Sequence, residues 1–229
     1  MDRILIIPDV HGRHFWRKAI EENEAEKIIF LGDYMDPYPS DNISTKDAFD
    51  NFKDIIDFAM SHRKMVVLLY GNHDLHYISK TFLKYAGASN YDKEWAHEIR
   101  NMFLEHKKLF QLSWEAVSNN NRILFSHAGI SSVWYRVNKS IIGDLTVKNL
   151  NNLLSSEEGI ETLCQVGISN GGYSPSGSMV WADVDEMINF KNIPGVYQVF
   201  GHSLLDGQPV IMNTFACLDC MRPFLLKCD

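Results

Sequence analysis

Three short runs of β-branched and leucine residues, at 3–8, 27–31 and 65–70, alternate with two stretches of helical character, at 15–22 and 45–61. In the longer helical stretch Phe49, Phe52, Ile55, Ile56 and Ala59 recur at the spacing of one helix face. This β-α-β-α-β order constrains the fold more than any other feature, because it builds a buried, largely parallel sheet. It predicts an α/β protein. Each strand is followed at once by residues that carry chemistry: Asp9-Val10-His11, Gly32-Asp33-Tyr34-Met35-Asp36 and Gly71-Asn72-His73-Asp74. In open α/β sheets ligands bind beyond the carboxyl ends of strands, so the placement marks a site independently of the residue types.

The remainder of the chain continues the pattern. Residues 75–110 are mostly helical and rich in aromatics, a cap over the core or a lid over a site. A strand at 122–125 runs into Ser126-His127-Ala128, and another at 196–200 runs into Gly201-His202. Residues 144–164 read as helical, and the Gly/Ser/Pro-rich stretch 170–178 reads as a long, mobile loop. Short runs at 210–213, 215–218 and 223–227 suggest closing antiparallel strands. No linker divides the chain. The expected organisation is one domain, 1–229, with a helical insert around 75–110.

Composition excludes several classes of function. The 229 residues carry a formal net charge of -7, which argues against bulk nucleic-acid binding. No stretch approaches the ~20 apolar residues of a membrane helix, and the N-terminal apolar run is too short for a signal peptide. Four cysteines, Cys164, Cys217, Cys220 and Cys228, do not make a disulfide framework in a chain of this length. The Cys217–Cys220 pair has no second ligand pair for a structural zinc and reads as small residues near a strand end. A reducing, cytoplasmic setting is expected.

The strand-end residues have complementary ligand chemistry. Asp9 and His11 lie two apart and can converge on one ion. Asp33 has two carboxylate oxygens and can bridge two. Asn72 offers a carbonyl oxygen, and His127 and His202 offer imidazole nitrogens. The expected assignment is Asp9, His11 and Asp33 on a first divalent metal, and Asp33, Asn72, His127 and His202 on a second. Mixed oxygen and nitrogen ligation suits manganese, with iron, zinc or nickel as alternatives, better than calcium. The two ions outweigh the two carboxylates and a bridging hydroxide, so the remainder is positive and can hold a phosphate anion. Metals ~3.5–4 Å apart activate water and stabilise phosphoryl oxygens. His73 is the imidazole left over. Beside the second metal it can donate a proton to a leaving oxygen, and Asp36 could hold its ring and raise its pKa.

Taken together these motifs resemble the calcineurin-like metallophosphoesterase superfamily over residues 4 to about 220. Its pattern is Asp-x-His, Gly-Asp-x-x-Asp, Gly-Asn-His-Asp/Glu, a later His, then Gly-His. The resemblance implies a four-layer α/β/β/α sandwich with mixed sheets. Within the superfamily the chain looks most like the serine/threonine phosphoprotein phosphatases and their bacterial and phage relatives, which include diadenosine tetraphosphate hydrolases. His127-Ala128-Gly129 and Met179-Val180-Trp181-Ala182-Asp183 carry that likeness. Leu204 stands where many superfamily phosphodiesterases place a second His, so the first metal should have fewer protein ligands. One position departs from the subgroup. Its second motif usually continues with an Arg that grips phosphate, whereas Asp36 is followed here by Pro37, which donates no hydrogen bond. Arg13 and Arg136 are the nearest replacements in motif terms.

These residues lead to a dinuclear metal phosphatase acting on phosphomonoesters, including phosphoserine or phosphothreonine. A metal-bound hydroxide attacks phosphorus and His73 serves as general acid. The substrate is a phosphorylated protein, nucleotide or small molecule, with no membrane or nucleic-acid partner. One alternative is a phosphodiesterase or dinucleoside polyphosphate hydrolase. Another, from a different class, is a non-catalytic interaction scaffold on the same fold.

Overall fold

The computed structural model describes residues 2–85, 90–191 and 193–228. The chain divides into two compact units. The first runs to Gln111 and resumes at Met221; the second is Leu112–Cys220.

Parallel pairing organises the first unit. Strands β1 (Asp2–Ile7), β2 (Lys27–Phe30) and β3 (Val66–Leu69) lie side by side and parallel, with Ile4 opposite Lys27 and Ile28 opposite Val66. Helices α1 (Phe15–Glu22) and α2 (Thr45–Ser61) make the two crossovers. Both helices match the sequence expectation residue for residue. α2 starts where Ser44 accepts a hydrogen bond from the Asp47 amide, and it buries Ala48, Phe52, Ile55, Ile56 and Ala59. The expected helical region 75–110 resolves into α3 (Asn72–Ile78), α4 (Lys80–Tyr85) and α5 (Ala96–Glu105). Residues 86–89 of that span lie outside the described residues. The short strand β4 (Phe110–Gln111) then pairs parallel to β3. The C-terminal strand, Phe224–Cys228, closes the five-stranded sheet antiparallel to β1.

The second unit holds a mixed sheet of five strands. These are β5 (Ser113–Ser118), β6 (Asn121–Ser126), β7 (Val196–Phe200), β8 (Val210–Ile211) and β9 (Phe215–Cys217), in the order β5-β6-β7-β9-β8. Its helices are α6 (Ser132–Val137), α7 (Lys139–Ile142), α8 (Val147–Asn151), α9 (Glu157–Leu163) and α10 (Val184–Asn189). Ser156 caps α9 and breaks the expected continuous helix 144–164 in two.

The expectation that the last three strands are antiparallel needs correction. β9 is antiparallel to β8 but parallel to β7, and the C-terminal strand belongs to the first sheet. Strand β5 was not expected from its sequence. It is an edge strand with Val117 64% exposed, so its apolar signal is diluted. Its turn does carry a signal: Asn119 and Asn120 both take positive φ, 48° and 62°, as a two-residue hairpin loop requires.

All told, the architecture is α/β with two mixed sheets, as expected. No helix among the described residues is long and apolar enough to cross a membrane. The four cysteines are buried free thiols.

The apolar face of α2 packs into an aromatic cluster. Phe52 is fully buried, stacked on Tyr34 at 5.2 Å and tilted against Phe103 at 4.6 Å. Tyr34 belongs to the loop after β2, so this packing also supports the candidate site. Phe52→Ala is expected to cost about 3–5 kcal/mol, the range for deleting a fully buried aromatic ring, read as a lowered urea midpoint.

Candidate active site

Because β1, β2 and β3 run parallel, the loops that follow them emerge at one end of the first sheet. Backbone hydrogen bonds tie the first two loops together: the amides of Val10 and His11 both donate to the Asp33 carbonyl, at 3.1 and 2.7 Å. The second and third loops meet where Gly32 and Gly71 approach. A Cβ on Gly32, which sits at φ 115°, would lie 2.5 Å from the Gly71 nitrogen. A Cβ on Gly71 would lie 2.0 Å from Asp33 Oδ1. Only glycine fits either position.

Asp74 fixes this junction. Its carboxylate is fully buried and accepts from the amides of Asp33 at 2.9 Å, Tyr34 at 3.0 Å and Gly71 at 2.8 Å. The sequence motif contained Asp74, yet its residue type alone assigned it no role.

The loops bring three expected ligands together. Asp9, His11 and Asp33 each present a ligand atom, all within 4.8 Å of one another, and all three residues are buried. His11 Nδ1 lies 3.0 Å from the Met35 carbonyl and 3.1 Å from the Asp36 carbonyl, so Nδ1 carries the proton and Nε2 keeps its lone pair. Nε2 faces Asp33 Oδ2 at 3.7 Å. Burial pushes the His11 pKa down to about 4 against the pull of Asp33, so the ring is neutral at pH 7. A neutral imidazole with a fixed tautomer beside two buried carboxylates fits a divalent cation. His11, Asp33 and Asp36 hold φ of 43°, 51° and 60°, backbone strain of the kind that gathers at functional sites.

His73 and Asp36 form the expected pair. His73 Nδ1 lies 2.8 Å from Asp36 Oδ2, and the His73 amide donates to Asp33 Oδ1 at 3.0 Å. The other oxygen of Asp36 accepts from the Tyr77 hydroxyl. That hydroxyl in turn accepts from the Asp92 amide at 3.1 Å, which leaves its own proton to point at Asp36. Burial opposes the charged form of His73, but Asp33, Asp36 and Asp74 together overcome it and lift its pKa to about 9. His76 lies beside His73, ring centroids 5.5 Å apart, and burial and the His73 charge lower its pKa to about 3. Asp36, His73 and His76 form a second group whose ligand atoms lie within 4.8 Å. Tyr77 and His76 were not expected. The signal was present, because residues three and four beyond His73 on a helix share its face.

Asn72, the remaining expected ligand of this unit, is buried at the start of α3. Arg13 is largely buried. Nη2 pairs with Asp41 Oδ2 at 2.8 Å, and the guanidinium lies over the Tyr38 ring, 5.5 Å from its centroid.

In the second unit His127 follows β6 and His202 follows β7, and those strands are parallel neighbours. His127 Nε2 and His202 Nδ1 lie 3.2 Å apart, a separation at which two imidazoles share a proton or a cation. The Gly201 amide donates to the His127 carbonyl at 2.7 Å, and Trp181 packs edge-on against His202 at 5.7 Å. Ser203 links this loop to Asp183, accepting from the Val184 amide at 2.8 Å and donating to Asp183 at 3.3 Å. Arg136 is exposed in the last turn of α6, and its side chain makes no hydrogen bond or ion pair among the described residues.

A calcineurin-like phosphoesterase family model matches residues 2–206. No curated protein matches the chain significantly. Among solved structures, a cold-active protein-tyrosine phosphatase of a psychrophilic Shewanella species is 17% identical with a TM-score of 0.58, covering 99% of this chain and 76% of that one. A protein serine/threonine phosphatase from Saccharomyces cerevisiae is 15% identical with a TM-score of 0.53, covering 94% and 66% respectively. At these identities the likeness establishes the fold.

Removing the Asp74 carboxylate would strand three buried amides at the loop junction. Asp74→Ala is expected to cost about 3 kcal/mol or more in chemical denaturation, since hydrogen bonds to charged groups contribute about 1.5–3 kcal/mol each and are not additive.

Proposed function

We propose that this chain, which belongs to the calcineurin-like phosphoesterase family and is a phosphoric ester hydrolase, acts as a phosphatase on phosphomonoesters. The observation that carries this reading is the His73–Asp36–Tyr77 chain of hydrogen bonds beside the Asp9–His11–Asp33 donor cluster. A proton donor of raised pKa is set next to a group of residues that fits a metal.

Asp9, His11 and Asp33 would hold one divalent ion, Asp33 and Asn72 are candidate ligands for a second, and the His127–His202 pair offers two further imidazole nitrogens within its own unit. Manganese suits the mixed donor set. When bound, such ions supply Lewis acidity that acidifies water and neutralises phosphoryl oxygens. The chain's own residues do the rest. His11 keeps its Nε2 lone pair because Nδ1–H is committed to backbone carbonyls. His73 holds a proton on Nε2 and delivers it to the leaving oxygen. Asp36 accepts Nδ1–H, fixes the ring plane and stabilises the imidazolium, and Tyr77 holds Asp36 in place. The monoester preference follows from charge: two divalent ions against two carboxylates leave a positive site, which favours a terminal phosphate dianion.

The test is turnover of an alkyl phosphate, whose leaving group needs a proton, by protein stripped with chelator and reloaded with manganese. Activity should return with the metal, and His73→Asn should lower kcat by ~10²–10⁴, the share usual for general acid catalysis. Full activity of that variant would remove His73 from the mechanism. Faster turnover of a diester than of a monoester would overturn the substrate class.

The pH profile follows from the same pair. The active form of His73 is protonated, so activity should persist below its pKa and fall as pH rises through it. Bound cations lower that pKa, so the descending limb should lie at or below about 9. Asp36→Asn removes a stabilising charge and should move the limb to lower pH. A limb that does not move would show that Asp36 does not tune this proton.

A further inference from the structure

Two half-buried tyrosines stand on adjoining loops beside the His73–Asp36 pair. Tyr38 follows Asp36 by two residues, and its ring packs 4.7 Å from the His11 ring, which lies 5.1 Å from the ring of His73. Tyr91 stacks on Tyr77, with ring centroids 4.7 Å apart and planes 28° from parallel. The Tyr77 hydroxyl donates to Asp36, so Tyr91 is one ring removed from the carboxylate that holds His73. The Asn90 side chain donates to the Pro37 carbonyl at 3.5 Å and joins the loop of Tyr91 to the loop of Tyr38. Asp36 is close enough for its charge to act on the Tyr91 hydroxyl.

Tyr91 is fixed without the hydrogen bond that commonly fixes a structural tyrosine. Its hydroxyl makes none among the described residues. Its neighbours set its place instead. The Asp92 amide donates to the Tyr77 hydroxyl at 3.1 Å, and the Asp92 carboxylate accepts from Thr45 at 2.7 Å and from the amides of Glu94 and Trp95 at 2.9 and 3.2 Å. Arg100 anchors the Tyr77 backbone, its Nη1 donating to the carbonyls of Tyr77 and Ile78 at 3.2 Å each. One face of the Tyr91 ring is spent on Tyr77, while the side chain stays partly exposed. A rigid, partly exposed aromatic ring is a stacking surface with little ordering left to lose when a ligand arrives.

We propose that Tyr91, with Tyr38 on the adjoining loop, is a specificity-determining residue that stacks on a planar aromatic group in the leaving portion of the substrate. This assignment rests on the phosphomonoesterase reading above, in which the leaving oxygen takes its proton from His73. Whatever is attached to that oxygen departs past the tyrosines around the His73–Asp36 pair. The substrate class narrows to phosphomonoesters of alcohols that carry an aromatic ring.

The experiment is calorimetric titration of the manganese-loaded protein with benzylphosphonate and with cyclohexylmethylphosphonate. The two ligands share charge and approximate size, differ in a planar or a puckered ring, and have no ester bond to hydrolyse. The wild type should bind benzylphosphonate about two- to tenfold more tightly, the range for one aromatic pair. Tyr91→Leu should bring the two affinities together, and Tyr91→Phe, which keeps the ring, should retain the preference. A tyrosine that only supports Tyr77 would weaken both ligands alike when removed. The kcat/KM values for benzyl and cyclohexylmethyl phosphate, both esters of primary alcohols, should follow the same order. Equal affinities in the wild type, no binding of either phosphonate, or a preference undiminished in Tyr91→Leu would overturn the assignment. If circular dichroism shows Tyr91→Leu unfolded, the wild type labelled at tyrosine decides. Nuclear Overhauser contacts should then join the benzyl ring to a tyrosine resonance that disappears in Tyr91→Phe, and their absence would equally overturn the assignment. A benzylphosphonate preference that depends on Tyr91, in a protein that hydrolyses neither ester, would uphold the stacking role and overturn the phosphatase reading instead, so the two failures are distinct.

Discussion

The buried carboxylate of Asp74 is the constraint on which the first unit's chemistry depends. By accepting amides from Asp33, Tyr34 and Gly71 it locks the loops after β2 and β3 into one body. Asp33 is thereby fixed in a left-handed conformation, with one oxygen committed to the His73 amide and the other turned toward His11. The same lock starts α3 in the register that places His73 on Asp36. A candidate ligand and a candidate proton donor are positioned by one hydrogen-bonding device.

Around that junction the structure separates the tasks of its histidines through their partners. His11 gives its Nδ1 proton to backbone carbonyls, is deeply buried and is neutral. His73 gives its Nδ1 proton to a carboxylate, stands among three acidic side chains and holds a raised pKa. The two rings lie only 5.1 Å apart. Two identical side chains are thus pushed in opposite directions, one toward a ligand and one toward an acid.

Much of this was legible in the sequence, for identifiable reasons. The parallel core was readable because 3–8, 27–31 and 65–70 are dominated by β-branched and leucine residues, and α2 because its apolar spacing runs over 17 residues. The candidate ligands were readable because their residue types stand directly after strands. Strand β5 was hidden by its edge position and its exposed Val117, and α6, α7 and α10 are too short to set a period. The parallel pairing of β9 with β7 depends on contacts distant in sequence. Asp74, Tyr77 and Asp41 escaped notice because their roles are to hold other residues. A carboxylate that accepts backbone amides has the same letter as one that binds a metal.

The central proposal is that Asp33 would serve two metal ions at once. Electron paramagnetic resonance of chelator-stripped protein, titrated with manganese, tests it most directly. Two ions ~3.5–4 Å apart on a shared carboxylate are magnetically coupled. Manganese should therefore bind to two equivalents per chain, with the six-line signal of isolated ions replaced by a broad coupled spectrum, and Asp33→Asn should abolish that spectrum. Binding that stops at one equivalent, or two ions that keep the isolated six-line signal, would contradict a shared Asp33.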